Sequence, residues 1–136
     1  MATRRGRVEF EDDHGTVVRY DRHGNGGGLV SPDARVDAEA TIASTACVEA
    51  GASVGARARV GAWSWVDRGS VVGADAVVGS NVRVGPGSRV GAGARIGSRA
   101  KLGARVVVAD GARVVPDTIL DDGAVVDRRG VHGLAA

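Results

Sequence analysis

The chain has 136 residues, with 18 Lys and Arg against 16 Asp and Glu, a formal net charge of +2. That length fits one domain, and the near-balance gives no global field of the kind that draws a protein to nucleic acid. Two Trp, one Tyr and one Phe are too few large side chains for an ordinary globular core, whereas 22 Gly and abundant Val point to short strands and many tight turns.

Arg4, Arg5 and Arg7 open the chain with no apolar stretch behind them, so neither a signal peptide nor a membrane span is expected. The single cysteine, Cys47, permits no internal disulfide, and a cytoplasmic location is the expectation. Residues 7–11 and 16–20 alternate in polarity around Asp13, His14 and Gly15, which predicts a β-hairpin. With a flexible glycine-rich link that leads from Gly24 into the first hexad at Gly28, it forms an N-terminal unit, residues 1–27, that caps the first turn of a repeat region beginning at residue 28.

From Val30 onward an aliphatic residue recurs at every sixth position. The series reads Val30, Val36, Ile42, Val48, Val54, Val60, Val66, Val72, Val78, Val84, Val90, Ile96, Leu102, Val108, Val114, Leu120 and Val126. The next steps outward, Gly24 and His132, break it. A second column two residues earlier holds only small or β-branched residues, from Gly28 and Ala34 to Thr118 and Ala124. Gly follows the aliphatic residue at 55, 61, 73, 79, 85, 91, 97 and 103, so the unit is small-x-aliphatic-Gly-x-x.

Strand alternation explains the unit. Residues i−2 and i share one face of a short strand and i−1 takes the other, so each hexad has one large and one small inward residue and then a turn. The Gly after the aliphatic residue is expected to supply the backbone freedom of a sharp corner. One such strand cannot bury itself. Coils stacked about 4.8 Å apart can. Residues 28–127 are therefore one all-β solenoid, and residues 128–136 a tail expected to fray or pack loosely.

This repeat resembles the hexapeptide-repeat transferase superfamily across residues 28–127. The resemblance implies a left-handed parallel β-helix of about five to six three-sided coils, 18 residues each, assembled as a homotrimer. It also implies acyl transfer from a coenzyme A thioester to a sugar, amine or hydroxyl. Such enzymes place a histidine general base in a coil or loop at the subunit interface, where imidazole exchanges protons near neutral pH. Here the histidines are His14, His23 and His132, all outside the coils, and the unbroken period leaves no room for an acceptor-enclosing loop. No catalytic residue is assigned from the sequence. The alternative is a non-catalytic trimeric scaffold or interaction module. The three-histidine zinc site of the γ-class carbonic anhydrases, which share this fold, has no counterpart, and no metal is expected.

Two groups of outward residues are candidates for function. Arg83, Arg89, Arg95, Arg99, Lys101, Arg105 and Arg113 form a basic belt, opposed over that stretch only by Asp110. Read functionally, the belt meets the phosphates of coenzyme A or another anionic small molecule; read structurally, it is a solvated face. Trp63, Trp65, Cys47 and Val71 are expected at an interface, with the two tryptophans covered by the hairpin (Phe10 or Tyr20) or by a second subunit. A platform for an adenine or sugar ring is the other reading of the tryptophan pair. Nothing in the sequence near Cys47 would activate it as a nucleophile.

Overall fold

A computed structural model describes residues 7–11 and 13–132. The side chains of Arg7 and His132 lie outside that description, as do residues 1–6, 12 and 133–136. Among the described residues there is no helix, and so none long and apolar enough to cross a membrane.

From Leu29 onward the chain advances through two-residue strands set six residues apart, each followed by a corner. Every third strand stacks in parallel on the one a coil earlier, which gives three faces. The first face holds Leu29–Val30, Cys47–Val48, Trp65–Val66, Arg83–Val84, Lys101–Leu102 and Ile119–Leu120. The second runs from Arg35–Val36 through Ser53–Val54, Val71–Val72, Arg89–Val90 and Val107–Val108 to Val125–Asp127. The third comprises Thr41–Ile42, Arg59–Val60, Val77–Val78, Arg95–Ile96 and Arg113–Val114. The register is the 18-residue period itself: Cys47 pairs with Trp65, and Trp65 with Arg83.

The aliphatic column is the core. Val48, Val66 and Val84 are fully buried, and the small column packs beside them, with Ala46, Ala52, Ala58 and Ala100 equally closed to solvent. Burying one such side chain contributes roughly 1.5–3 kcal/mol, and the ladder repeats that gain at each coil. Serine enters the small column where its hydroxyl has an acceptor. Ser70 Oγ donates to Gly85 O at 2.7 Å and Ser88 Oγ to Gly103 O at 2.7 Å, so the buried hydroxyls are satisfied.

The corners use glycine differently from the sequence expectation. The glycine after the aliphatic residue is not the one in the left-handed region. That conformation falls two residues later, at Arg57 (φ 60°), Asp75 (φ 61°) and Gly69 (φ 68°) among others. What the earlier glycine supplies is clearance. A Cβ on Gly73 would sit 2.6 Å from Ala92 N, and one on Gly61 2.6 Å from Gly79 O, both in the next coil.

Antiparallel segments cover parts of both ends. Strand β1 (Arg7–Glu11) pairs with β2 (Val17–Arg22), and β2 lies antiparallel on the first coil, with Asp21 opposite Val30 and Arg22 opposite Leu29. The link 24–28, expected to be flexible, is hydrogen-bonded to the first strand of the third face: Gly28 N donates to Ile42 O at 3.0 Å and Ile42 N to Asn25 O at 3.0 Å. At the other end the expected fraying does not occur before His132. Gly130–His132 folds back antiparallel on Val125–Asp127, and Asp127 Oδ1 accepts from Arg129 N at 2.7 Å to hold the turn.

Candidate functional site

One edge of the prism, the corner between the first and second faces, carries two adjoining hollows. The lower, of about 500 Å³, lies between β2 and the first coils, and its walls include Tyr20, Asp33, Glu49, Trp65, Asp67 and Arg68. The upper, of about 390 Å³, is lined by Arg83, Pro86, Lys101, Ile119 and Asp122. Strand alternation sends Trp65, Arg83, Lys101 and Ile119 outward along one column while Val66, Val84, Leu102 and Leu120 fill the core.

Glu49 is the hub of the lower hollow. Its two carboxylate oxygens accept from Tyr20 Oη at 2.8 Å and from Trp65 Nε1 at 2.8 Å, and the Cys47 thiol lies 3.7 Å away. The carboxylate thereby ties the hairpin to the first face. Burial, reinforced by Glu49, pushes the Cys47 thiol up to about 12. Burial and the hydrogen bond to Glu49 likewise raise the Tyr20 hydroxyl above its ordinary range. Both groups stay protonated at neutral pH, and Cys47 is a packed thiol with no nucleophilic character.

Arg83 separates the hollows. Its guanidinium reaches Asp67 Oδ2 at 2.9 Å and lies over the Trp65 ring at 5.1 Å. Asp67 is 14% exposed at its side chain against 51% for Arg83, so the carboxylate anchors and the arginine spans. Lys101, one coil above, donates from Nζ to Asn81 O at 2.8 Å.

The basic belt does not converge. Arg83 and Lys101 share the upper hollow, Arg89 stands on the second face, and Arg95 and Arg113 stand on the third. Arg105 is at the corner before the second face. Arg99, at the corner before the first, holds Asp117 through two bonds of 2.7 and 3.1 Å. That bond keeps the Asp117 carboxyl below its ordinary range.

The expected interface residues are also spread. Trp65, Cys47 and Trp63 lie on or beside the first face, whereas Val71 lines an open hollow of about 470 Å³ on the second. Within one chain the hairpin covers neither tryptophan: Trp65 is 42% and Trp63 68% exposed. Phe10 instead packs edge-on against Tyr20, with centroids 5.8 Å apart.

Glu49 was the residue that sequence reasoning missed. It follows Val48 in a column that also holds Asp37, Asp67, Asp121 and Asp127, so its residue type alone did not single it out. Neither described histidine side chain, His14 or His23, lines a hollow of the edge. His14 is in the hairpin turn, His23 Nε2 is 2.8 Å from Ala40 O, and the side chain of His132 lies outside the described residues. Among the described residues no group of three or more His, Cys, Asp or Glu side chains is placed to hold a metal ion.

Neither a protein-family model nor a curated protein matches the sequence. Solved structures do. A histidine-to-asparagine variant of perosamine N-acetyltransferase from Caulobacter crescentus, in complex with CoA and GDP-perosamine, is 26% identical with a TM-score of 0.66, covering 76% of this chain and 55% of that one. A histidine-to-alanine variant of the same acetyltransferase, with the same ligands, is 27% identical with the same TM-score and coverage. A serine-to-cysteine variant of AntD, an N-acyltransferase from Bacillus cereus, in complex with dTDP-4-amino-4,6-dideoxyglucose and Coenzyme A, matches at TM-score 0.53 and 13% identity over 79% of both chains, a likeness of fold. The chain spans about half the length of the perosamine N-acetyltransferase variants. Its fold is the hexapeptide-repeat β-solenoid of acyltransferases.

Proposed function

We propose that this chain is an acyltransferase-type solenoid that takes its acyl group from a coenzyme A thioester along the edge between the first and second faces. The observation that carries the reading is the pair of hollows on that edge, one lined by Arg83 and Lys101 and the other by Asp33, Glu49 and Asp67. Two variants of one acetyltransferase of this fold are in complex with CoA and GDP-perosamine.

The division of charge sets the roles. Guanidinium and ammonium groups suit the phosphates of the donor in the upper hollow. The carboxylates of the lower hollow, with the Trp65 ring beside them, suit an acceptor bearing an amine and hydroxyls. In the reaction the acceptor amine attacks the thioester carbonyl, the C–S bond breaks, and coenzyme A leaves as its thiol with the proton the amine gives up. Arg83 lines the donor hollow and touches Trp65 and Asp67 of the other, so it aligns the two substrates.

The hollows are open along their length, so we further propose a homotrimer in which a neighbouring face closes them. A cytoplasmic location supplies the thioester. A second reading, a non-catalytic trimeric scaffold, is favoured by one observation: among the described residues no histidine side chain lines the two hollows. The two separate on ligand binding. Thermal denaturation with coenzyme A and acetyl-coenzyme A should raise the melting temperature of the enzyme and leave a scaffold unchanged.

A further inference from the structure

The third face and the corner after it lie outside the edge that carries the proposed acyl-transfer site, and they have a different character. Outward on this face stand Arg59, Arg95 and Arg113, all exposed, with Val77 between the first two. None of the three has an ion-pair or hydrogen-bond partner among the described residues. Arg95 and Arg113 are register neighbours, about 4.8 Å apart at the backbone. Like charges so placed repel unless an anion lies across them.

The corner after this face carries two of the three most exposed large apolar side chains, Trp63 at 68% and Val115 at 67%. Three coils separate them, and the corners between carry Gly79, Ser80 and Asn81, then Gly97, Ser98 and Arg99. The first carboxylate met along this corner is Asp117, already held by Arg99.

We infer that this face docks on an anionic phospholipid surface. Three unpaired arginines on one face complement anionic headgroups, each worth roughly a fivefold gain in partitioning. An indole at one end of the corner and an aliphatic side chain at the other are the groups that settle at the headgroup boundary. A second copy using the same face would set arginine against arginine, which charge complementarity disfavours. The inference stands apart from the acyl-transfer reading, and its test contains no thioester.

The full chain is mixed with vesicles of phosphatidylcholine alone or of phosphatidylcholine with phosphatidylglycerol, and binding is read by co-sedimentation and tryptophan emission. The expected result is binding to the anionic vesicles only, weakened by salt, with a blue shift that Trp63→Ser removes. Arg95→Glu with Arg113→Glu should lower partitioning at least twentyfold while the melting temperature stays near that of the parent. The inference is overturned by equal binding to neutral vesicles, by no binding to either, or by binding that both variants retain. It is also overturned if Trp63 is already shielded from a soluble quencher without vesicles, which would mark the face as a contact between copies. A soluble polyanion such as heparin binding the face while anionic vesicles do not would overturn it too.

Discussion

The guanidinium of Arg83 lies over the indole of Trp65, 5.1 Å from the ring centroid, while the same side chain holds Asp67 at 2.9 Å. One cation thus stacks on an exposed ring and pairs with the better shielded carboxylate. Because Arg83 is half exposed, solvent screens both contacts, and Arg83→Ala should cost only about 0.5–1 kcal/mol of stability. Its effect on ligand binding should be larger than that, since Arg83 lines the upper hollow and holds Trp65 and Asp67 of the lower one. Urea denaturation and tryptophan emission measure the first effect; a ligand titration measures the second.

Glu49 joins the hairpin to the solenoid through Tyr20 and Trp65. Glu49→Gln replaces one accepting oxygen by an N–H₂ donor that must face another donor. The expected outcome is loss of about 1 kcal/mol in hairpin docking. Amide hydrogen exchange checks it: protection should fall in Val17–Arg22 and stay unchanged in the central coils. Uniform loss of protection would show that Glu49 supports the whole fold.

Alkaline pH should loosen the same region. The Cys47 thiol is raised from its ordinary 9.0 to about 12, and the Tyr20 hydroxyl is raised as well. A raised pKa means the folded state holds the proton more tightly than the unfolded chain. The stability this gives is complete below about pH 9 and is lost as pH climbs from 9 toward 12. Cys47→Ala should flatten the fall over that window in a denaturation series. At neutral pH the wild-type thiol should resist alkylation.

Much of this architecture was legible because two periods, six residues and two, assign the strand side chains to an inward or an outward position. Val66 buried and Trp65 outward follow from alternation alone. The purpose of the corner glycines was not legible. A sequence shows that Gly73 is small but not that Ala92 N of the next coil occupies the place of its Cβ. The spread of the belt follows from the same periods: hexads assign Arg83, Arg89 and Arg95 to an outward position, and an 18-residue coil sets them on three different faces. Glu49 was missed because its partners Tyr20 and Trp65 lie 29 and 16 residues away, beyond any local pattern.

The two classes of corner glycine should respond differently to a methyl group. Gly73→Ala drives a Cβ into backbone and should cost about 1–3 kcal/mol. Gly69 has φ 68° and nothing within 4 Å of its Cβ position. Gly69→Asn, a residue that tolerates the left-handed region, should cost well under 1 kcal/mol. Equal losses at both positions would contradict the clearance account.

The central claim is that the edge between the first and second faces holds a coenzyme A thioester, and thermal denaturation with acetyl-coenzyme A tests it most directly. At 100 times its dissociation constant the ligand should stabilise the protein by about 2.7 kcal/mol. The shift should shrink with salt and disappear in Lys101→Ala and Arg83→Ala, while Arg99→Ala, whose parent side chain is held by Asp117, keeps it. An unchanged melting temperature with acetyl-coenzyme A and with free coenzyme A would contradict the claim and leave the scaffold reading.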